Sequence, residues 1–263
     1  MKIKFQWLLI AGMMFTALSC NKEGEADLDL QVTTESVTNL TAFSAKVGGN
    51  ISGTEPISDR GICWGTSETP TVDGASVSDI DPVEGEYNLK MVKLEPNTTY
   101  YARAYALTTS GKAVYGNAVS FATKSVESLS ESNCYLAMPD DAVVIPVSRA
   151  NKSSLGTQIS SGDVLTAELT WMDNMDVVDT VFTYGTGSAG NIVVLTGNVD
   201  GNAVVDVKVN NNIKWSWHIW VAQGATSIST INMPSGAKLM DRNLGATSKT
   251  ISEIGAVGVQ FQI

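Results

Sequence analysis

The sequence predicts an all-β protein built of two β-sandwich domains in tandem. Three observations lead there. Short runs rich in Val, Ile, Thr and Tyr recur along the chain and end at Gly, Asn, Asp or Pro, which is the composition of strands closed by turns. After the N-terminal apolar run, no long stretch repeats its apolar positions at helical spacing. The 23 glycines of the 263-residue chain weaken helices and suit tight turns.

The elements follow in chain order. Residues 1–19 read as a secretory signal: Lys2 and Lys4 give a positive start, Phe5 to Leu18 is an uncharged apolar run, and small residues follow. Such a segment is removed after export. The run is short for a membrane span, which needs about 20 apolar residues. Ala17-Leu18-Ser19-Cys20 resembles the lipobox of bacterial lipoproteins. That resemblance implies cleavage before Cys20, lipidation of its thiol and palmitate-type acyl chains as the membrane anchor. Each buried CH₂ of such a chain contributes about 0.8 kcal/mol of membrane affinity.

Loss of Lys2 and Lys4 takes the net charge from −10 to −12. An acidic chain repels phosphate backbones and anionic headgroups, so no nucleic-acid partner is expected and anchoring falls to the lipid. Residues 20–29 form a polar tether containing Glu23, Glu25, Asp27 and Asp29. It resembles the short acidic signals that send some Gram-negative lipoproteins to the outer face of the outer membrane; a solvated linker accounts for the same residues.

The first domain is expected over 30–124. Its strand-like runs are Leu30–Val37, Ser44–Ile51, Ile57–Gly65, Tyr87–Leu94, Thr99–Leu107 and Ala113–Thr123. Six or seven strands in about a hundred residues is the count of an immunoglobulin-like sandwich. Leu94, Pro96, Tyr100, Ala102, Ala104 and Ala106 alternate with other residues and resemble the E–F corner and F strand of fibronectin type III domains. In such a corner Leu94 covers the core, Pro96 stiffens the crossing, and Tyr100 buries its ring while its hydroxyl bonds the nearby backbone. Alternation puts the three alanines on the face of Tyr100. Arg60-Gly61-Ile62-Cys63-Trp64-Gly65 is similar to strand C of the variant found in exported proteins of anaerobic Gram-negative bacteria.

Residues 125–131 are polar and read as a linker, and a second sandwich-like domain is expected over 132–222. Its strand candidates are Asn133–Met138, Ala142–Ser148, Val164–Trp171, Val177–Tyr184, Asn191–Thr196, Ala203–Val209 and Ile213–Ala222. Asn133-Cys134-Tyr135, Trp215-Ser216-Trp217-His218-Ile219-Trp220 and Met240-Asp241-Arg242-Asn243-Leu244-Gly245 resemble fimbrillin-associated surface lipoproteins with a major paralogous domain. On that likeness, residues 223–263 are the truncated start of a further domain.

Candidate chemistry is sparse. Cys63 and Cys134 sit in separate strand-like runs, so two buried thiols are favoured over a disulfide. No Cys-x-x-Cys pattern suggests a metal, and no nucleotide motif suggests a cofactor. His218 is the only histidine; catalysis would need a nucleophile and an orienting group beside it, and a structural role is favoured. Asp173, Asp176 and Asp179 lack the alternate spacing and turn glycine of a calcium loop. Trp215 and Trp217 share a core-facing register, whereas Trp220 faces the other way and is the candidate ligand contact. The expected function is therefore non-enzymatic: a lipid-anchored outer-membrane module for binding, adhesion or assembly at the cell surface, with a surface protein as partner. The alternative is a glycan-binding accessory of a polysaccharide-uptake system.

Overall fold

The computed structural model describes residues 29–152, 158–223, 230–232 and 238–240. The signal, Cys20, most of the tether and most of 223–263 lie outside the described residues.

The first sandwich pairs two antiparallel sheets. One holds β1 (Leu30–Thr38), β2 (Ser44–Gly53) and β5 (Gly85–Val92) in the order β1-β2-β5. The other holds β3 (Ile57–Gly65), β4 (Ala75–Ser78), β6 (Thr99–Thr108) and β7 (Ala113–Tyr115) in the order β4-β3-β6-β7, with β8 (Val119–Ala122) also on β6. Val47, Ile51, Ile62, Met91, Tyr100 and Phe121 fill the space between them. Ala102, Ala104 and Ala106 line the same core; their small side chains leave room for the larger residues opposite.

Two details differ from the sequence reading. β4 pairs with β3 across Gly61–Trp64, in a stretch with no alternating apolar pattern to announce it. The expected strand over 113–123 is broken into β7 and β8 at residues 116–118. Gly116 sits at the break: its N–H still bonds Ala104 O at 2.9 Å, and a β-carbon there would lie 2.7 Å from the backbone nitrogen of Thr34 on β1.

The second sandwich also packs two sheets face to face, with a different strand order. Its larger sheet holds β9 (Cys134–Ala137), β11 (Leu165–Met172), β14 (Gly201–Val209) and β15 (Asn212–Val221) in the order β11-β14-β15-β9. β9 joins β15 in parallel, with Cys134 opposite His218 and Leu136 opposite Trp220. Its smaller sheet is β10 (Ala142–Pro146), β13 (Asn191–Thr196) and β12 (Val178–Tyr184), ordered β10-β13-β12. The strand expected to reach Ser148 stops at Pro146, and Val147–Lys152 form 3₁₀ turns. Trp217, Ile219 and Val221 of β15 pack on Val143, Ile145, Ile192 and Val205 in the core. A short hairpin of β16 (Thr230–Asn232) and β17 (Lys238–Met240) follows.

The two sandwiches meet in a packed joint. Phe43, just before β2, sits edge-on to Phe182 at 5.5 Å and to Tyr184 at 5.1 Å between ring centroids. Val144, Val193 and Leu195 of the second sandwich complete that apolar cluster with Ala42. Charges ring it: Asp140 pairs with Lys46 at 2.7 Å and Lys90 at 3.6 Å, and Lys90 also reaches Asp179 at 2.7 Å. The segment expected to be a polar linker is fastened to the second sandwich. Val126 packs on the cluster, Leu129 N–H bonds Val144 O at 2.9 Å, and Ser128 bonds Asn191 at 2.6 Å.

Candidate functional site

The corner residues of the first sandwich are placed as follows. Leu94 is buried under the core, and Glu95 N–H donates to the Tyr100 hydroxyl at 3.0 Å. The Tyr100 ring stacks on Phe121 at 5.8 Å. Pro96 O accepts from Thr98 Oγ1 at 2.9 Å, which tightens the turn. These contacts stabilise a corner and carry no chemistry.

Trp220 is not where a ligand contact needs it. It lies on the outer face of β15, as alternation requires, yet it is only 1% exposed. β15 is an interior strand, and in register Trp220 is flanked by Asn202 on β14 and Leu136 on β9. A ring with so little exposed surface cannot lie flat on a sugar. Among the described residues the most exposed tryptophan is Trp171 at the end of β11, 49% exposed.

The same outer face holds an array that the sequence reading kept apart. The Cys134 Sγ of β9 is 3.0 Å from His218 Nδ1 of β15. His218 Nε2 is 2.9 Å from Asn202 Oδ1 of β14. Asn202 Nδ2 donates to Asp173 Oδ2 at 2.9 Å, and Asn202 N–H to Asp173 Oδ1 at 2.8 Å. Asp173 lies in the turn after β11, and its N–H returns to Asn202 O at 3.0 Å. Four elements therefore converge on one line of polar groups.

The hydrogen bonds give the line a direction. Asn202 turns its amide NH₂ to Asp173 Oδ2 and its carbonyl to His218. A carbonyl only accepts, so His218 carries its proton on Nε2. That leaves Nδ1 as an acceptor facing the Cys134 thiol. Burial lowers the His218 pKa, against a smaller opposing pull from Asp173, so the ring is held neutral. Burial alone pushes the Cys134 thiol up to about 11. The resting pair is a thiol hydrogen-bonded to a neutral imidazole.

Cys63, by contrast, is fully buried in the first sandwich, and burial raises its thiol to about 11. Both Cys63 and Cys134 are free thiols. Among the described residues no cluster of three or more His, Cys, Asp or Glu side chains could hold a metal ion. Asp173, Asp176 and Asp179 do not converge: Asp173 binds Asn202, whereas Asp179 serves Lys90 at the joint. In the sequence His218 and Cys134 stand 84 residues apart, and their register across two parallel strands was not readable.

No family model and no curated protein matches the chain. Among solved structures it is similar to the sensor domain of an anti-sigma factor of Pseudobacteroides cellulosolvens, with 14% identity and a TM-score of 0.28 over 38% of this chain and 100% of that one. It is similar to the sixth fibronectin type III domain of human fibronectin type III domain containing protein 3, with 24% identity and a TM-score of 0.30 over 41% and 97%. It is also similar to the fibronectin(III)-like modules of Clostridium thermocellum CbhA, with 13% identity and a TM-score of 0.28 over 73% and 94%. The tandem sandwich fold itself rests on the strand pairing.

Proposed function

We propose that this chain is a binding and presentation module: a lipid-tethered, two-sandwich arm that holds its second domain at a fixed attitude outside the cytosol. One observation carries the reading. The sandwiches are joined by a filled apolar cluster around Phe43 and by the ion pairs of Asp140 and Lys90. A flexible two-domain tether has no use for such a joint, because linked domains move freely unless their contact is apolar and well packed. A stiff arm on a membrane anchor is suited to adhesion or assembly, where reach and orientation matter. The lipobox-like Ala17-Leu18-Ser19-Cys20 supplies the anchor, and the acidic tether supports an outer-membrane address.

Solution scattering of the mature chain tests the arm. The wild type should fit the single compact arrangement, and Phe43→Ala should broaden it into a range of interdomain distances. Identical profiles would remove the rigid-arm reading. Metabolic labelling with a fatty acid, set against Cys20→Ala, tests the anchor separately.

A glycan-binding role is the second reading, and exposed Trp171 rather than Trp220 would carry it. Titration with polysaccharide fragments should then quench tryptophan emission in the wild type and leave Trp171→Ala unchanged.

A further inference from the structure

We propose that Cys134, His218, Asn202 and Asp173 form a thiol relay that makes Cys134 a covalent attachment point for disulfide-bearing molecules. The connectivity carries the argument. A sulfur, an imidazole and an amide stand in series at 3.0 and 2.9 Å, with His218 Nδ1 facing the thiol, Nε2 facing Asn202 Oδ1, and the Asp173 carboxylate accepting from the Asn202 amide. Thiol, imidazole and orienting amide in this order recur in cysteine nucleophiles on unrelated folds. A network whose only task was to satisfy buried groups would have no need to aim an acceptor at a half-buried thiol.

The step balances without any further reagent. As Cys134 sulfur attacks one sulfur of a disulfide, its proton passes to His218 Nδ1. The new S–S bond forms as the old one breaks, and the departing thiolate takes the proton from His218. Cys134 is oxidised to a mixed disulfide, and the other half of the reagent leaves as a reduced thiol. Exchange is favoured over acyl transfer because it needs no pocket of donors for an oxyanion. The adduct should also persist. The sequence has three cysteines; Cys63 is buried in the other sandwich and Cys20 stands at the lipobox. Among the described residues the only other thiol is that of Cys63, buried in the first sandwich where it cannot displace the bound half, so the site is loaded once rather than turned over.

The test uses the whole mature chain, reduced and native, with dipyridyl disulfide as a coloured probe and oxidised glutathione as a mass probe. One adduct per chain is expected, mapped to Cys134 by peptide mass, with Cys63 silent until unfolding. The rate should fall about a hundredfold or more in His218→Gln, the size of effect a positioned base supplies. It should also fall in Asp173→Ala, which removes the carboxylate that accepts from both the Asn202 side-chain amide and its backbone N–H. Below pH 8 the wild-type rate should decline less steeply than that of His218→Gln, because the neutral imidazole still takes the proton. If His218→Gln does not fold, Asp173→Ala and the pH profile decide. Equal rates in wild type and variants, or a Cys134 that reacts only after unfolding, would overturn the relay. Neither outcome bears on the rigid arm, which rests on the joint.

Discussion

At the scale of single residues, the clearest dependence of fold on chemistry is Arg60. Its guanidinium is buried beside β4, where it binds Asp79 at 2.6 and 2.9 Å, donates to Val83 O and lies over the Tyr87 ring at 4.6 Å. Two charges taken out of water attract strongly only while both are present. Asp79→Ala should therefore cost about 3–5 kcal/mol in chemical denaturation, because it strands a buried cation. Arg60→Met removes the buried cation itself, and its loss should be smaller. Equal losses would mean that the pair is no more than packing. Tyr100 tests the same logic with a neutral group. Tyr100→Phe keeps the ring on Phe121 and loses the bond from Glu95 N–H. Glu95 is exposed, so water can take over the donor. The expected loss is about 1 kcal/mol, the net worth of an ordinary hydrogen bond.

At the scale of elements, β3 and β4 show what a single hydrogen can permit. Gly61 stands where a β-carbon would lie 2.1 Å from Val77 O of β4 and 2.7 Å from the Tyr105 hydroxyl. Gly61→Ala should push β4 off the sheet edge while β3 and β6 stay paired. Hydrogen exchange would show it: the amides of Ala75–Ser78 lose protection and those of β6 keep theirs. Retained protection in β4 would refute the contact. This element also marks where the sequence stopped being legible. Strands such as β6 and β15 declare themselves by alternation, which reports the two faces of a strand and nothing about what covers them. Alternation put Trp217 and Trp220 on opposite faces, and the structure agrees. It could not say that Trp220 would be buried, nor that β9 would join β15 in parallel from eighty-odd residues away. The same register brings Cys134 beside His218. A parallel partner leaves no local turn in the sequence to announce it. Tyr100 and its corner were legible because the contact spans only five residues.

At the scale of the whole molecule, the joint decides whether the chain behaves as one body or two. Lys90 and Lys46 come from the first sandwich, and Asp140 and Asp179 from the second. Lys90 also donates to Thr196 O at 2.6 Å, so its charge is held by three groups from the partner sandwich. Isolated ion pairs at a surface contribute little, but a network that is partly shielded and seated on an apolar cluster contributes more. Coupled sandwiches should melt in one calorimetric transition. Asp140→Lys sets three cations side by side and removes the acceptor that Asn39 also uses at 3.0 Å. Like charges this close repel, and the repulsion acts across the joint rather than within either core. The variant should therefore split into two transitions, with each sandwich retaining its own fold by circular dichroism. Raising the salt to about 0.5 M shortens the Debye length to a few ångströms and should draw the two transitions back together. Phe43→Ala should also split the transition, but salt should not restore it, because what is lost there is packing. If Asp140→Lys still melts in one step at low salt, the charges do not couple the domains and the joint is held by Phe43 and its neighbours alone.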